Sequence, residues 1–156
     1  MEALITGEIE HTIDSGNRLF VSRKLRNQMG GDEIGMAAYL APGPNGVLSL
    51  YSEEAYRRYV YSLAAAETGN TVVYERMMFA LATRIELDKG GRIQFTDKLR
   101  ERYNLSDNLT LTGAGDHIEI WNKGDWEQYV KEQFAQFQNQ LKVARSKAFD
   151  ANRTQS

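Results

Sequence analysis

Asp14 and Arg18 stand four residues apart in IDSGNRLFVSRKLR (residues 13–26), and Asp88 and Arg92 repeat that spacing in LDKGGRIQFTDKLR (residues 87–100), at a constant offset of 74. A guanidinium presents its donors as a planar fork, suited to bidentate contact with a carboxylate, a phosphate or the O6 and N7 edge of guanine. The aspartates, being anions, are suited instead to holding the arginine or the amides of the turn. Six of the fourteen aligned positions are identical, where average residue usage gives roughly one, so the unit is a duplication. A hairpin kept only for stability explains the repeated apolar and glycine positions. It explains the arginines less well, because a surface ion pair contributes only about 0–1 kcal/mol; a ligand-facing role is the better account. Lys89 and Asn17, in the same two turns, are candidates for further phosphate or base contacts. Arg23, Lys24 and Arg26, with Lys98, Arg100 and Arg102, form a second tier that either touches phosphate or is a solvated face, Asp97 and Glu101 diluting its second cluster.

Those side chains need elements to carry them. Ile9, His11 and Ile13 alternate with Glu8, Glu10 and Thr12, and Leu81, Thr83, Ile85 and Leu87 alternate with Ala82, Arg84 and Glu86, so each copy opens on a half-buried strand. DSGN and DKGG are turn material that tolerates positive φ. The return strands turn Leu19 and Val21, or Ile93 and Phe95, inward, and Ser22 or Thr96 then caps a short helix. Leu25 with Met29, and Leu99 with Tyr103, make one apolar stripe, which predicts that the lysines and arginines between them point outward. Gly30 and Asn104 suit the left-handed helix end. A second hairpin follows in each half, Ile34 to Leu40 with Val47 to Tyr51 across APGPNG, and Leu109 to Thr112 with His117 to Trp121 across GAGD. The longer first loop is taken to shorten the offset from 74 to 70, at which Leu48, Leu50 and Tyr51 align with Ile118, Ile120 and Trp121. Ser52 and Asn122 are N-cap candidates for helices carrying Tyr56, Val60 and Leu63, or Trp126, Val130, Phe134, Phe137 and Leu141. ETGN at 67–70 ends the first of these, and Asn70 to Phe79 reads as a further helix. Lys142 to Ser156 is polar and expected to fray at its end.

The chain thus divides into a first half at 7–54, connecting helices at 55–80, a second half at 81–124 and a C-terminal helix with a polar tail at 125–156. A free unit of about 50 residues buries only about 60% of its unfolded surface, and no low-complexity linker parts the halves, so they are expected to pack together and interleave. The absence of cysteine removes disulfides, thiolate nucleophiles and Cys-based zinc sites. The acidic opening MEALITGEIEHTID is unlike a signal peptide and no window suggests a membrane span, which predicts a cytoplasmic protein. A net charge of -2 argues against coating nucleic acid by bulk charge. Local polarity runs the other way, with four basic residues and no acid in 18–26, while acids collect at Asp32, Glu33, Glu53 and Glu54.

An enzyme needs convergent titratable groups, yet the chain has two histidines and no phosphate loop of the required spacing. His11 reads as a packed side chain and not a ligand. The aromatic stretches YSEEAYRRYVYSL and WNKGDWEQYVKEQFAQF resemble nucleic-acid stacking surfaces in composition, but their helical spacing favours packing against the body or a neighbouring subunit. Neither a metal nor a cofactor is expected.

GEIEHTIDSGNRLFV, ELDKGGRI, LTGAGDHIEIW and an aromatic helix after each half stand in the order seen in the MraZ family of bacterial transcriptional regulators, which this chain resembles over roughly residues 5 to 130. The resemblance implies an α+β fold of two interleaved AbrB-like swapped-hairpin β-barrel halves with pseudo-two-fold symmetry, each followed by amphipathic helices. It implies that the Asp14 to Arg18 and Asp88 to Arg92 loops face double-stranded DNA. It also implies ring-like homo-oligomers, binding to direct repeats in the promoter of the division and cell-wall gene cluster, and nucleoid association. A protein-binding scaffold, antitoxin-like or engaging a methyltransferase, is the alternative. The family usually has Gly-Arg at the end of both motifs and a proline after the second strand; here Asn17 precedes Arg18, and Ser22 and Thr96 replace the prolines.

Overall fold

The structure, a computed structural model, describes residues 3–31, 35–66 and 71–154. In chain order the elements are β1 (Glu8–Thr12), β2 (Arg18–Phe20), α1 (Arg23–Gln28), β3 (Ala37–Pro42), a 3-10 turn (Pro44–Gly46), β4 (Leu48–Ser52), α2 (Glu53–Ala65), α3 (Thr71–Leu81), β5 (Thr83–Glu86), β6 (Arg92–Gln94), α4 (Asp97–Arg102), β7 (Asn108–Gly113), β8 (Ile118–Asn122) and α5 (Lys123–Thr154). The alternation in β1 places Ile9 and His11 on its partly covered side and leaves Glu8, Glu10 and Thr12 exposed. In β5 the same period holds for Ile85, but Leu81, expected to open that strand, closes α3 instead.

Six strands form one antiparallel sheet in the order β1-β7-β8-β4-β3-β5, while β2 and β6 pair as a separate ribbon. Read from either end, the order pairs each strand with its repeat equivalent: β1 with β5, β7 with β3, β8 with β4. A pseudo-two-fold axis therefore crosses the β8–β4 seam. Pairing locates it to the residue. In the ribbon Leu19 faces Ile93, its own equivalent at offset 74, and in the sheet Ser49 faces Glu119, its own equivalent at offset 70. A residue can oppose its repeat partner only on such an axis.

β1 pairs with β7, and β5 with β3, so the opening strand of each half lies on the other half's hairpin. This is the interleaved α+β arrangement that the sequence predicts. Ile13, Leu19, Val21, Leu25 and Met29 from the first half and Leu87, Ile93, Phe95 and Leu99 from the second share one buried cluster. At about 1.5–3 kcal/mol for each fully buried large aliphatic or aromatic side chain, neither half retains an adequate core alone.

The extra length of the first half is not where the sequence suggested. Eight residues (29–36) join α1 to β3 and five (103–107) join α4 to β7, whereas the hairpin loops 43–47 and 114–117 differ by a single residue. Three of the four additional residues therefore precede β3. Alanine and proline of APGPNG continue the strand, because Pro42 still pairs with Leu48 at the sheet's end. Asp32, Glu33, the expected strand start at Ile34, the break at 67–70, the helix start at Asn70 and the last two residues of the polar tail lie outside the described residues.

Ser22, Ser52 and Thr96 cap their helices, the side-chain oxygens accepting from Leu25 N at 3.4 Å, Ala55 N at 3.1 Å and Leu99 N at 3.1 Å. A second cluster forms where Tyr56 of α2 meets Ala41, Tyr51 and Met78, with Tyr39 stacked on Tyr56 at 4.6 Å. The chain divides after Lys123 into two compact units. The second, the body of α5, is one continuous helix through Thr154, so the polar stretch after Lys142 remains helical. Along α5, Val130, Phe134, Phe137 and Leu141 recur at helical spacing, all at least partly exposed. Among the described residues no helix is long and apolar enough to cross a membrane.

Candidate nucleic-acid interface

Each Asp-x-x-x-Arg unit closes as a three-residue hairpin loop. Asp14 N donates to Arg18 O at 3.0 Å and Asn17 N to Asp14 O at 3.0 Å; Asp88 N donates to Arg92 O at 3.0 Å and Gly91 N to Asp88 O at 2.9 Å. This is the type I turn followed by a left-handed residue that suits three-residue hairpins. Asn17 fills the left-handed position at φ 63° and Gly91 at φ 76°. Asparagine tolerates that region, so Asn17 in place of glycine leaves the turn unchanged.

The carboxylates hold both turn and arginine. Asp14 Oδ1 accepts from Gly16 N and Arg18 N, both at 2.9 Å, and Oδ2 accepts from Arg18 Nε at 3.0 Å. Asp88 does the same for Gly90 N at 2.8 Å, Arg92 N at 3.0 Å and Arg92 Nε at 3.0 Å. The backbone amide of the following arginine, above all, holds each carboxyl below the usual aspartate value, with the guanidinium and the glycine amide acting the same way. Each guanidinium is thus held through its Nε. Asp14 Oδ2 also lies 3.9 Å from Arg92 Nη1, so the two loops meet around one carboxylate. Both arginine side chains are about a third exposed, at 36%.

Since Leu19 and Ile93 point inward, Arg18, Phe20, Arg92 and Gln94 share the ribbon's outer face, with Arg18 opposite Gln94 and Phe20 opposite Arg92. Gln94 Nε2 ties itself to the first loop, donating to Gly16 O at 2.9 Å. Phe20 lies against the edge of His11 at 5.3 Å, with Arg26 Cζ 5.8 Å over its ring. Burial holds His11 below the ordinary imidazole value, in keeping with a packed histidine. Phe20 and Gln94 were not singled out in the sequence, although the alternation that turned Leu19 and Ile93 inward had already placed them outward.

Lys89 is exposed at the tip of the second loop, and Arg23 and Lys24 are exposed on α1. Lys24 Nζ lies beside Gly7, 3.3 Å from where a Cβ would stand. Asn17 is committed to the protein: Nδ2 donates to Phe95 O at 2.9 Å and Oδ1 accepts from Arg100 Nη1 at 3.1 Å. Arg26 and Arg100, expected to point outward between the apolar residues of their helices, are half-buried. Each reaches the loop of the opposite half, Arg26 lying against Gly91 and Arg100 bonding to Asn17. Asp116 and His117 form a separate pair at 2.7 Å, His117 stacking on Tyr51 at 4.5 Å. Among the described residues no group of histidine, aspartate and glutamate is arranged to hold a metal ion.

Comparison with known proteins adds an independent line. The family model described as MraZ protein, with a provisional antitoxin-like label, matches residues 78–150. A transcriptional regulator MraZ of Pediococcus pentosaceus is 32% identical over 131 residues, covering 83% of this chain and 88% of that protein. One of Heliobacterium modesticaldum is 32% identical over 128 residues, covering 81% and 86%. One of Moorella thermoacetica is 28% identical over 137 residues, covering 86% and 92%.

Proposed function

The chain belongs to the MraZ family, and from that premise we propose that it is a sequence-specific DNA-binding transcriptional regulator acting through the β2–β6 ribbon. The observation that carries this reading is the pair of aspartate-held arginines, Arg18 and Arg92, placed diagonally on one outer ribbon face with Arg92 reaching to 3.9 Å from the carboxylate that holds Arg18. B-form DNA admits a two-stranded ribbon in its major groove, where an arginine reads guanine O6 and N7. Arg18 and Arg92 fill that role, with Asp14 and Asp88 fixing their approach. Lys89 and, on the adjoining helix, Arg23 and Lys24 meet phosphates, while Asn17 lies beneath Arg18 and steadies its loop.

The regulator represses its own division and cell-wall cluster by engaging direct repeats in the promoter. With a net charge of -2, one ribbon binds weakly; a ring-like homo-oligomer spanning several repeats gains about 100- to 10,000-fold through effective concentration. The duplicated halves, 7–54 and 81–124, supply one arginine each, and the aromatic helices that follow serve assembly. Nucleoid association follows from the same binding.

Fluorescence anisotropy with the chain's own upstream DNA tests this. Specific binding should weaken steeply with salt. Arg18→Ala and Arg92→Ala should each lose about 1–3 kcal/mol of base discrimination without changing the mass of the assembly. Unaltered preference for the repeats in both variants would refute the assignment. A protein-interaction module is the second reading, favoured by the exposure of Tyr61, Met77 and Phe79 on α2 and α3; it predicts no preference for upstream DNA over unrelated DNA at any salt concentration, and capture of an antitoxin-like or methyltransferase partner instead.

A further inference from the structure

The two reading loops of one chain are built from the same motif, yet they are secured differently from behind. Arg26 and Arg100 are repeat equivalents at offset 74, and each reaches the loop of the other half. Arg100 Nη1 donates to Asn17 Oδ1 at 3.1 Å, while its Nη2 is anchored by Asp107 Oδ1 at 2.7 Å and Leu105 O at 3.2 Å. Asn17 passes the restraint on, donating from Nδ2 to Phe95 O at 2.9 Å. The residue so clamped directly precedes Arg18. In the second loop the corresponding residue is Gly91, with no side chain to receive such a bond. Arg26 lies against it, so close that a Cβ at 91 would stand 2.6 Å from Arg26 Cζ.

We propose that Arg100 is a positioning residue for Arg18, acting through Asn17, and that Asn17 in one loop against Gly91 in the other makes Arg18 and Arg92 unequal readers of DNA. The inference rests on the DNA-reading role assigned to Arg18 above. A charge-assisted hydrogen bond to the side chain at the left-handed position restrains the first loop, and a glycine at that position cannot receive such a bond. A restrained arginine spends less of its binding free energy on ordering itself when it meets a base edge. Arg18 is then the more exacting of the two arginines. Asn17, standing where the second loop has Gly91, is accordingly a determinant of discrimination, and not merely a tolerated variant of the turn.

Asn17→Gly keeps the left-handed backbone and removes only the clamp, so the fold is expected to survive it. Arg100→Lys keeps the charge but cannot reach asparagine, carboxylate and carbonyl in the same geometry. In anisotropy with upstream repeats and with repeats altered at the bases whose recognition Arg18→Ala removes, Asn17→Gly should lower the ratio of cognate to altered binding about tenfold. Affinity for unrelated DNA, its salt slope and the assembly mass should stay as in the parent, which a general loss of structure would not allow. Arg100→Lys should lower the same ratio, and adding it to Asn17→Gly should have no further effect. A parental ratio in Asn17→Gly while Arg18→Ala abolishes discrimination overturns the clamp and leaves the reading of DNA intact; additive losses in the double variant overturn it equally. Full discrimination in Arg18→Ala removes the reading role itself, and the clamp's purpose with it.

Discussion

At the scale of single residues, the two aspartates are what hold the arginine loops in shape. Asp14 and Asp88 each accept two amides and a guanidinium, and these bonds favour the ionised form. The linkage has a definite sign: a carboxyl whose folded value lies below its unfolded one stabilises the fold above the unfolded value of 3.8 and loses that contribution as pH falls through the lower folded value. Loop order should accordingly be flat from pH 8 down to about 5 and fail only in acid. Carbon-detected NMR titration should give midpoints for both carboxyls below 3.8, with the amides of Gly16, Arg18, Gly90 and Arg92 moving in step. A midpoint above that value for either carboxyl would contradict the bonding described. The Asp-x-x-x-Arg units were legible in the sequence because their chemistry is local, spanning five residues. The roles of Arg26 and Arg100 were not. Both point at loops some 65 to 83 positions away along the chain, and a helical-face argument sees only neighbours three and four apart.

Among the elements, strands and caps followed closely from local pattern, and the lengths between them did not. Period-2 alternation placed Leu19, Val21, Ile93 and Phe95 inward, and all four are fully or almost fully buried. Sequence alone points to the APGPNG loop for the gap between anchors 74 and 70 apart, but any position between the anchors satisfies the same alignment. Only the pairing of β3 with β5 and β7 with β1 resolves where the residues went. The short helices α1 and α4 depend on their caps more than longer helices would, because six residues barely exceed the nucleus that helix formation must first assemble. Ser22→Ala and Thr96→Ala should each cost about 1 kcal/mol in urea-unfolding free energy, with the m-value unchanged. A negligible cost at both positions would show that burial of Leu25 and Leu99 alone holds these helices.

For the molecule as a whole, interleaving makes cooperativity the quantity to measure. β1 rests on β7, β5 on β3, β2 on β6 and β4 on β8, so every strand of the first half has a partner in the second. Opening one half removes a ladder from each strand of the other, and the shared cluster around Leu19 and Ile93 is exposed at once. The duplicated halves are thus repeats in sequence and a single unit in energy. Native-state hydrogen exchange should show the amides of Leu40 and Leu50 opening with the same free energy as those of Leu111 and Ile120, both equal to the global value. Leu19→Ala and Ile93→Ala, at equivalent positions on the pseudo-two-fold axis, should each lower that value by about 2–5 kcal/mol. The loss should appear in both halves together, whichever half carries the substitution. If Leu19→Ala weakened protection only in β3 and β4 and left β7 and β8 at the parental level, the halves would be energetically separate, and the ribbon would be a seam between two domains in place of the centre of one.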